Sequence, residues 1–270
     1  MTHNNDPDFI KFAHKMADVA GEIARQYFRT PFDVEQKSDD SPVTIADRMI
    51  EQRLREMIEA QRPQDGILGE EFGHKPTGNG LTWVLDPIDG TKSFTVGRPT
   101  FGTLIGLCED TKPVLGLIDQ PVLHERWLGV TGGSGYERGC ERGAASKAFF
   151  NGKPIHTRPC AELKQAVFGT GSPSQISRDD HARFDRLDRA ARYTVYQGDC
   201  YFYGLLANGS LDLIIEDQLG LYDFIALVPI IEGAGGIITD WRGRPKTLDG
   251  DPSVIAAGDE GVYSTAKDLL

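Results

Sequence analysis

The chain has 270 residues, which is long enough to bury a sizeable core as one large domain or as two tightly packed lobes. Its 29 lysine and arginine residues are outnumbered by 40 aspartate and glutamate residues, and the net charge of -11 disfavours a general nucleic-acid-binding or membrane-binding surface. The first residues lack the basic and apolar blocks of a secretory signal, and no run of about 18 apolar residues occurs, so we expect a cytoplasmic protein.

The first two predicted elements are amphipathic helices. Apolar residues recur at spacings of three and four over residues 8–28 and again over residues 44–60, and Pro63 lies beyond the second helix. Thr44 stands where an N-cap belongs, and Asp47 follows three residues later. Because a hydroxyl and an acid at this spacing commonly cap a helix, the pair is as consistent with capping as with a role in a site.

Short strands follow, and helices alternate with strands in the second half. Glycine and proline punctuate the predicted strands of the first half, which are 66–69, 81–85, 100–108, 113–118 and 126–130. The glycine-rich residues 131–139 lack the ending of a P-loop and are predicted as a hairpin region. The second half has predicted helices at 177–192, 199–208 and 223–234, and strands at 211–215 and 237–239. We expect one unit with two packed lobes, about 1–150 and about 151–270.

Two aspartates end an apolar strand in the run WVLDPIDGTKSF. Asp86 and Asp89 offer carboxylate oxygens, which are the ligands that magnesium prefers. Pro87 stiffens the turn that aims both carboxylates and the Ile88 carbonyl into one space, and Gly90 lets the backbone approach an anion closely. Proline, aspartate and glycine are also common turn residues, so an ordinary turn is the alternative.

Further acidic groups favour a site over a simple turn. Glu70 and Glu71 close an apolar run, an acidic cluster occupies residues 38–47, and Asp223 begins a helical pattern that is apolar nearly all round. An acid in the first turn of a helix is also favoured by the helix dipole, which is a structural alternative for Asp223. Clustered carboxylates repel one another and phosphate until cations neutralise them, so these acids predict a bound metal.

Together these motifs resemble the inositol monophosphatase superfamily of metal-dependent phosphatases. The resemblance covers nearly the whole chain and rests on GEE at 69–71, DPIDGT at 86–91, the Thr44 and Asp47 pair, and YDFIALVPIIEGAGG at 222–236. It implies a mixed α/β (α+β) fold, a five-layered αβαβα sandwich with the metal site between the two lobes. It also implies two or three Mg²⁺ ions per subunit, a small phosphate monoester as substrate, and a homodimer.

The same resemblance implies the metal ligands. Asp86 would bridge two ions, because two-metal sites hold their ions about 3.5 to 4 Å apart. Glu70 and the carbonyl of Ile88 would complete the coordination of one ion. Asp89 and Asp223, the latter from the second lobe, would bind the other ion, so the site would form where the lobes meet.

Catalytic and phosphate-binding roles are implied by the same motifs. Thr91, with Asp47 behind it and Glu70 nearby, would orient the attacking water in line with the leaving oxygen. The backbone N–H groups of Gly90 and Thr91 would hold the phosphate, as the N–H groups of a turn can. The resemblance therefore predicts that one short loop supplies both metal ligands and phosphate donors.

Within the superfamily the chain looks most like the histidinol-phosphate phosphatase branch. GDCYFYG at 198–204, Tyr222 and Pro229 carry this resemblance, which implies hydrolysis of L-histidinol phosphate to L-histidinol and phosphate in histidine biosynthesis. Histidinol carries a primary amine and an imidazole, so acids at the pocket mouth would favour it. Glu216 and Asp199 are the candidates, and a solvated surface acid is the alternative for each.

Two other functions stay open. One is an inositol 1-phosphate or broad sugar-phosphate phosphatase of the same superfamily, whose substrate would need neutral hydroxyl partners. The other is a metal- and phosphate-binding regulator without turnover. Such regulators usually lack a ligating or water-activating residue, whereas this chain has all of them: Glu70, Asp86, Asp89, Thr91 and Asp223.

Overall fold

The computed structural model describes residues 9–31, 34–36, 42–131, 147–172 and 181–270. In these residues the helices are α1 (Phe9–Tyr27), α2 (Ile45–Gln61), α3 (Thr91–Thr95), α4 (His181–Ala190), α5 (Asp199–Ala207), α6 (Leu221–Phe224), α7 (Leu227–Gly233) and α8 (Glu260–Leu269). The strands are β1 (Val34–Gln36), β2 (Pro42–Thr44), β3 (Gly66–Gly69), β4 (Gly73–Lys75), β5 (Leu81–Asp89), β6 (Gly102–Glu109), β7 (Lys112–Gln120), β8 (Glu125–Val130), β9 (Lys147–Phe150), β10 (Lys153–Pro154), β11 (Val167–Thr170), β12 (Tyr193–Tyr196), β13 (Leu213–Glu216), β14 (Ile237–Thr239) and β15 (Val254–Ala257). Residues 38–41 of the acidic cluster, residues 132–139 of the predicted hairpin and residues 177–180 of a predicted helix lie outside the described residues.

The described elements stack in five layers. α1 and α2 cover one face of an eight-stranded sheet with the strand order β10-β9-β8-β7-β6-β5-β3-β4. α5, α6 and α7 lie between that sheet and a five-stranded sheet with the order β12-β11-β13-β15-β14. α4 and α8 pack on the outer face of the second sheet. The predicted mixed α/β, αβαβα architecture is therefore confirmed.

The first helix covers the large sheet because its apolar residues share one face. Phe9, Phe12 and Met16 are buried on that face, and the rings of Phe9 and Phe12 lie 6.0 and 5.4 Å from the Trp83 ring on β5. The indole N–H of Trp83 donates to Asp65, so the buried ring keeps a polar partner.

None of the described helices has the length and apolar character that crossing a bilayer requires.

A parallel pair of strands brings two acidic motifs to one edge of the large sheet. In the described residues β3 and β5 are the only parallel neighbours in that sheet, and Gly69 pairs with Leu85. The carboxyl ends of parallel strands meet at the same edge, so Glu70, which follows β3, comes beside Asp86. The N–H of Glu70 donates to the Leu85 carbonyl at 3.3 Å, which extends the pairing by one residue.

The predicted helix over residues 223–234 is wrong in one respect, because the structure divides it in two. α6 ends at Phe224 and α7 begins at Leu227. Pro229 supplies the reason: it has no N–H for the carbonyl of Ile225, four residues earlier, and its ring would collide with that carbonyl in a regular helix. The break leaves Asp223 in a short helix between the two sheets.

Candidate metal and phosphate site

Three carboxylates meet where β5 ends and α6 begins. Asp86, Asp89 and Asp223 each offer an oxygen, and these atoms lie within 4.8 Å of one another. Residues three apart in a regular strand point to opposite faces, but the register of β5 against β6 shifts between Asp86 and Asp89. Such a bulge redirects side chains, which explains how both aspartates face Asp223.

Asp223 has a structural role as well. Its Oδ2 accepts the N–H of Gly220 at 2.7 Å, so it caps the first turn of α6. The predicted structural alternative for Asp223 was a first-turn acid favoured by the helix dipole, and the carboxylate does lie in the first turn of α6; it also belongs to the cluster with Asp86 and Asp89. A carboxylate has about four lone-pair sites on its two oxygens, so one cap does not exhaust it.

The electrostatics of the cluster call for a cation. Burial raises the pKa of Asp86 well above its usual value, and the negative charges of Glu70, Asp89 and Asp223 raise it further. Burial also raises the pKa of Asp89, as do the charges of Asp199 and Asp223. In the described part of the chain neither Asp86 nor Asp89 forms an ion pair. Carboxylates that oppose one another's ionisation, one of them buried and two half-buried, all offer oxygen atoms and fit a hard divalent cation such as Mg²⁺.

Glu70 acts on the cluster from its edge. Its negative charge raises the pKa of Asp86 and also that of Asp47, so it lies close to both. It is not among the three residues whose ligand atoms lie within 4.8 Å of one another. The neighbouring Glu71 likewise acts on Asp47 through its charge. The structure thus places Glu70 beside the cluster, and its role as a ligand stays a prediction.

The Thr44 and Asp47 pair combines the two roles that the sequence left open. The backbone N–H and hydroxyl of Thr44 donate to Asp47 Oδ2 at 2.9 and 2.5 Å, and the Ala46 N–H donates to the Thr44 hydroxyl, which forms a capping box. The other oxygen, Asp47 Oδ1, is buried and accepts no hydrogen bond from the described residues. Burial raises the pKa of Asp47 to about 7, although the hydrogen bonds from Thr44 lower it. One oxygen caps the helix, and the other is left for the site.

The turn that is predicted to bind phosphate contains one contact that the sequence did not indicate. Gly90 has a φ of 83° and is the N-cap of α3, as a turn that presents backbone N–H groups requires. The Thr91 hydroxyl donates to the Ile88 carbonyl at 3.2 Å rather than to Asp47. A threonine at a helix start readily bonds a carbonyl three residues back, which explains the difference. The carbonyl retains a second lone pair for a metal.

Asp199 reaches this turn from the second half of the chain. Its Oδ2 accepts the hydroxyls of Ser93 and Thr100 at 2.5 and 2.9 Å. The N–H of the next residue, Cys200, donates to Asp89 Oδ2 at 2.5 Å. A Cβ on Gly90 would lie 2.6 Å from the Asp199 carboxyl carbon, so only glycine fits there. Asp199 is therefore not a solvated surface acid, and sequence reasoning missed Ser93 and Thr100 because nothing local marks them as its partners.

Glu216 also lies beside the cluster. The Tyr203 hydroxyl donates to Glu216 Oε2 at 2.7 Å, and Tyr203 is 1% exposed. The pKa of Glu216 is raised to about 7, mainly by burial. The charges of Asp199 and Asp223 also raise this pKa, and the hydrogen bond from Tyr203 opposes the shift. Both predicted substrate acids therefore lie near the acidic cluster, Asp199 close to Asp89 and Glu216 close to Asp223. Tyr203 was missed as a partner, although it lies in the GDCYFYG run that the sequence analysis singled out.

Comparisons with known proteins identify the family of this chain. The model of the inositol monophosphatase family matches residues 5–269. The bifunctional phosphatase IMPL2, chloroplastic, of Arabidopsis thaliana is 44% identical over 98% of this chain and 77% of its own length. A histidinol-phosphatase of Chlorobaculum parvum is 37% identical over 93% and 92%. The solved structure of an inositol monophosphatase from Zymomonas mobilis is 46% identical, with a TM-score of 0.84 over 97% of each chain. The chain therefore belongs to the inositol monophosphatase family.

Proposed function

We propose that this protein is a magnesium-dependent phosphomonoesterase that hydrolyses L-histidinol phosphate to L-histidinol and phosphate in histidine biosynthesis. The observation that carries the proposal is the approach of Asp86, Asp89 and Asp223 within 4.8 Å, in a place where neighbouring acids oppose the ionisation of Asp86 and Asp89. Membership of the inositol monophosphatase family supports the reaction, and the similarity to a histidinol-phosphatase supports the substrate.

Five groups would hold two or three Mg²⁺ ions: Glu70, Asp86, the Ile88 carbonyl, Asp89 and Asp223. The ions would neutralise the phosphate charge, make water a better nucleophile and stabilise the leaving oxygen. The chain itself binds the phosphate through the backbone N–H groups of Gly90 and Thr91, which the left-handed turn at Gly90 presents. The N–H groups that bind phosphate and several of the metal ligands then come from the same turn. A bound phosphate is therefore held beside the metal ions in the acidic cluster.

Asp47 and Thr91 would orient the attacking water and accept its proton. Asp47 Oδ1 is buried and accepts no hydrogen bond from the described residues, and the pKa of this acid is about 7. A base with such a pKa can take a proton at neutral pH. The Thr91 hydroxyl, now on the Ile88 carbonyl, can rotate toward the water, and Glu70 lies near enough to act on Asp47 through its charge. We assign the orientation of the water to these three residues.

Glu216 and Asp199 would select the substrate. Histidinol is cationic, and a positive group between these two acids would favour their charged forms. Tyr203 holds one Glu216 oxygen, and Ser93 and Thr100 hold one Asp199 oxygen, so both carboxylates are fixed before the substrate arrives. Fixed partners bind more tightly because less conformational entropy is lost on binding. Under this proposal the second half of the chain supplies specificity and the first half supplies the phosphate site.

Turnover of L-histidinol phosphate and inositol 1-phosphate at equal magnesium concentration tests the substrate. We expect a large preference for histidinol phosphate in kcat/KM. The variant Glu216→Gln should reduce that preference about 10-fold, because it removes one charged hydrogen-bond partner. Asp185→Asn, the same loss of charge on the exposed face of α4, is the control and should change nothing. A preference for inositol 1-phosphate would instead favour the broad inositol or sugar-phosphate phosphatase.

Replacing Asp89 separates an enzyme from a regulator that binds metal without turnover. Asp89→Asn should abolish magnesium-dependent phosphate release while circular dichroism shows an intact fold. Unchanged hydrolysis in this variant would contradict the site, and absence of turnover in the wild-type protein on every phosphate monoester tried would favour the regulator. We further propose a cytoplasmic homodimer. Sedimentation of the purified protein would test the oligomeric state, and fractionation of cells would test the location.

A further inference from the structure

A buried carboxylate lies behind the site and was not singled out by the sequence. Glu51, on α2, is 0% exposed. Its Oε2 accepts the N–H of Glu71 at 2.7 Å, and its Oε1 accepts the N–H of Phe72 at 3.1 Å and the Nε of Arg55 at 2.7 Å. A buried carboxylate is costly unless hydrogen bonds satisfy both of its oxygens. Here two of the three donors are consecutive backbone N–H groups of the turn that follows Glu70.

The space for this carboxylate is created by a glycine. A Cβ on Gly69 would lie 1.9 Å from Glu51 Oε1, which no packing adjustment of the turn alone could accommodate. Gly69 is not among the glycines with positive φ, so its backbone is one that other residues also adopt. The glycine of the GEE motif is therefore required for room, and the room is filled by Glu51.

These contacts hold Glu70 on both sides. The backbone N–H of Glu70 itself donates to the Leu85 carbonyl of β5. The backbone N–H groups of the next two residues, Glu71 and Phe72, donate to the Glu51 carboxylate. The backbone on either side of Glu70 is thus held by β5, which carries Asp86, and by α2, which carries Asp47 in its first turn.

We propose that Glu51 is a positioning residue for the metal site, which fixes the turn at residues 70–72 and thereby holds Glu70 beside Asp86. The inference rests on the proposed function, because it assumes that Glu70 contributes to metal binding. The inference extends the site to the second turn of α2, so that this helix has two roles. The N-terminus of α2 presents Asp47, and its second turn anchors the end of β3, after which Glu70 follows.

Magnesium binding to Glu51→Gln tests the inference. The amide nitrogen of glutamine would face an N–H donor or the Arg55 guanidinium, so the turn would lose an acceptor. We expect the Kd for Mg²⁺ alone, measured by calorimetry, to rise about 10-fold or more, as for other residues that orient metal ligands. The magnesium concentration for half-maximal phosphate release should rise in parallel, while kcat at saturating magnesium changes less.

The chain offers a matched control on the same helix. Glu56 is exposed and pairs with Arg53 at 3.0 Å, so Glu56→Gln makes the same chemical change without touching the turn. Gly69→Ala provides an independent perturbation, because its methyl group should displace the Glu51 carboxylate and also raise the Kd for Mg²⁺. In a Glu51→Ala background that clash is gone, and Gly69→Ala should then add little.

The outcomes separate this inference from the proposed function. A wild-type protein that binds no Mg²⁺ would contradict the proposed function itself. A wild-type protein that binds Mg²⁺ and a Glu51→Gln variant with the same Kd, even with a lower Tm, would show that Glu51 only stabilises the turn, and the inference would be wrong. Should Glu51→Gln fail to fold, an unchanged Kd in Gly69→Ala would overturn the inference and an increased one would support it.

Discussion

Asp212 and Asp86 are both almost completely buried, at 1% and 2% exposure, yet the charges around them are opposite. Asp212 receives two bonds from the guanidinium of Arg158, at 2.7 and 2.5 Å, and the N–H of Val167 at 2.7 Å. Asp86 receives the N–H of Ile88 at 3.0 Å, and the charges that act on it are those of other acids. One carboxylate has its counter-charge within the fold, and the other is surrounded by charges of its own sign.

The same contrast applies to other acids. Asp119, 4% exposed, pairs with Arg126 at 2.7 Å, while Asp89 shares the environment of Asp86. Burying an unpaired charge is expensive, so a chain retains such a group only where something else compensates it. Buried acids with a guanidinium partner therefore contribute to the fold, and acids surrounded by other acids mark the place where we propose that a cation binds.

The largest effect is expected from Asp86→Asn. Phosphate release should fall about 10³-fold or more, because metal ligation contributes several kcal/mol to the transition state. The metal-free variant should nevertheless have a higher Tm than the wild-type protein, since one repelling charge is removed. Phosphate assays over a magnesium series and thermal unfolding in EDTA measure the two effects. A variant that keeps its activity and loses stability would place Asp86 with the structural acids.

Asp212→Asn should behave in the opposite way. Removing the charge leaves Arg158 without its partner, and the free energy of unfolding should fall by about 3 kcal/mol, at the low end for a buried pair. The low end is expected because Arg158 is 43% exposed and water can replace part of the lost interaction. Urea denaturation gives the loss. The Kd for Mg²⁺ of the folded variant should equal that of the wild-type protein, and a shifted Kd would show that the two sets of acids are coupled.

The metal-free protein should become less stable as pH rises. The pKa of Asp47 is about 7 when folded against an ordinary 3.8, so its proton is held more tightly in the folded state. That stabilisation is complete below pH 3.8 and is lost as pH rises through 7. The pKa values of Asp86 and Asp89 are also raised, so these two residues change the stability with pH in the same direction. We expect the Tm in EDTA to fall about 5 °C between pH 5 and 8.

Saturating Mg²⁺ at pH 8 should restore the lost Tm, because the ion supplies the missing positive charge. Asp47→Asn should reduce the slope of Tm against pH, since it removes one of the titrating groups. A metal-free Tm that is constant or increases over this range would contradict the raised pKa values of Asp47, Asp86 and Asp89.

The smallest effect is expected from Thr44→Ala. It removes the hydroxyl that caps α2 and donates to Asp47, which should lower the free energy of unfolding by about 1 kcal/mol. Thr265→Ala removes an exposed hydroxyl that bonds the Gly261 carbonyl within α8 and should stay within about 0.5 kcal/mol. Chemical denaturation of both variants provides the comparison. Equal losses would mean that the Thr44 cap contributes nothing beyond an ordinary surface hydroxyl.

Local patterns predicted most elements and the centre of the site. α1 was predicted at 8–28 and observed at Phe9–Tyr27, because the spacing of its apolar residues is a property of the helix alone. The run DPIDG indicated the site because strand, turn and acids are contiguous there. The bulge that turns Asp86 and Asp89 to one side depends on pairing with β6, which the order of residues does not reveal.

Contacts between distant segments could not be predicted in the same way. Glu51 appeared as one acid among several on an amphipathic helix, and its role depends on how α2 meets the turn after β3. Asp199 was predicted as a substrate acid, but Ser93 and Thr100 were not predicted to hold it. Pro229 indicates a break between α6 and α7. The continuous apolar pattern around it nevertheless favoured the prediction of one helix.

The wide separation of the acids along the chain has a consequence for folding kinetics. Asp47, Glu70 and Asp86 come from the first layers, whereas Asp223 arrives only when α6 docks between the sheets. Because this centre needs segments from the first layers and from α6 in place together, we expect it to be incomplete in the folding transition state. Magnesium should therefore leave the refolding rate unchanged and slow unfolding, so that it extends the lifetime of the native protein against proteases.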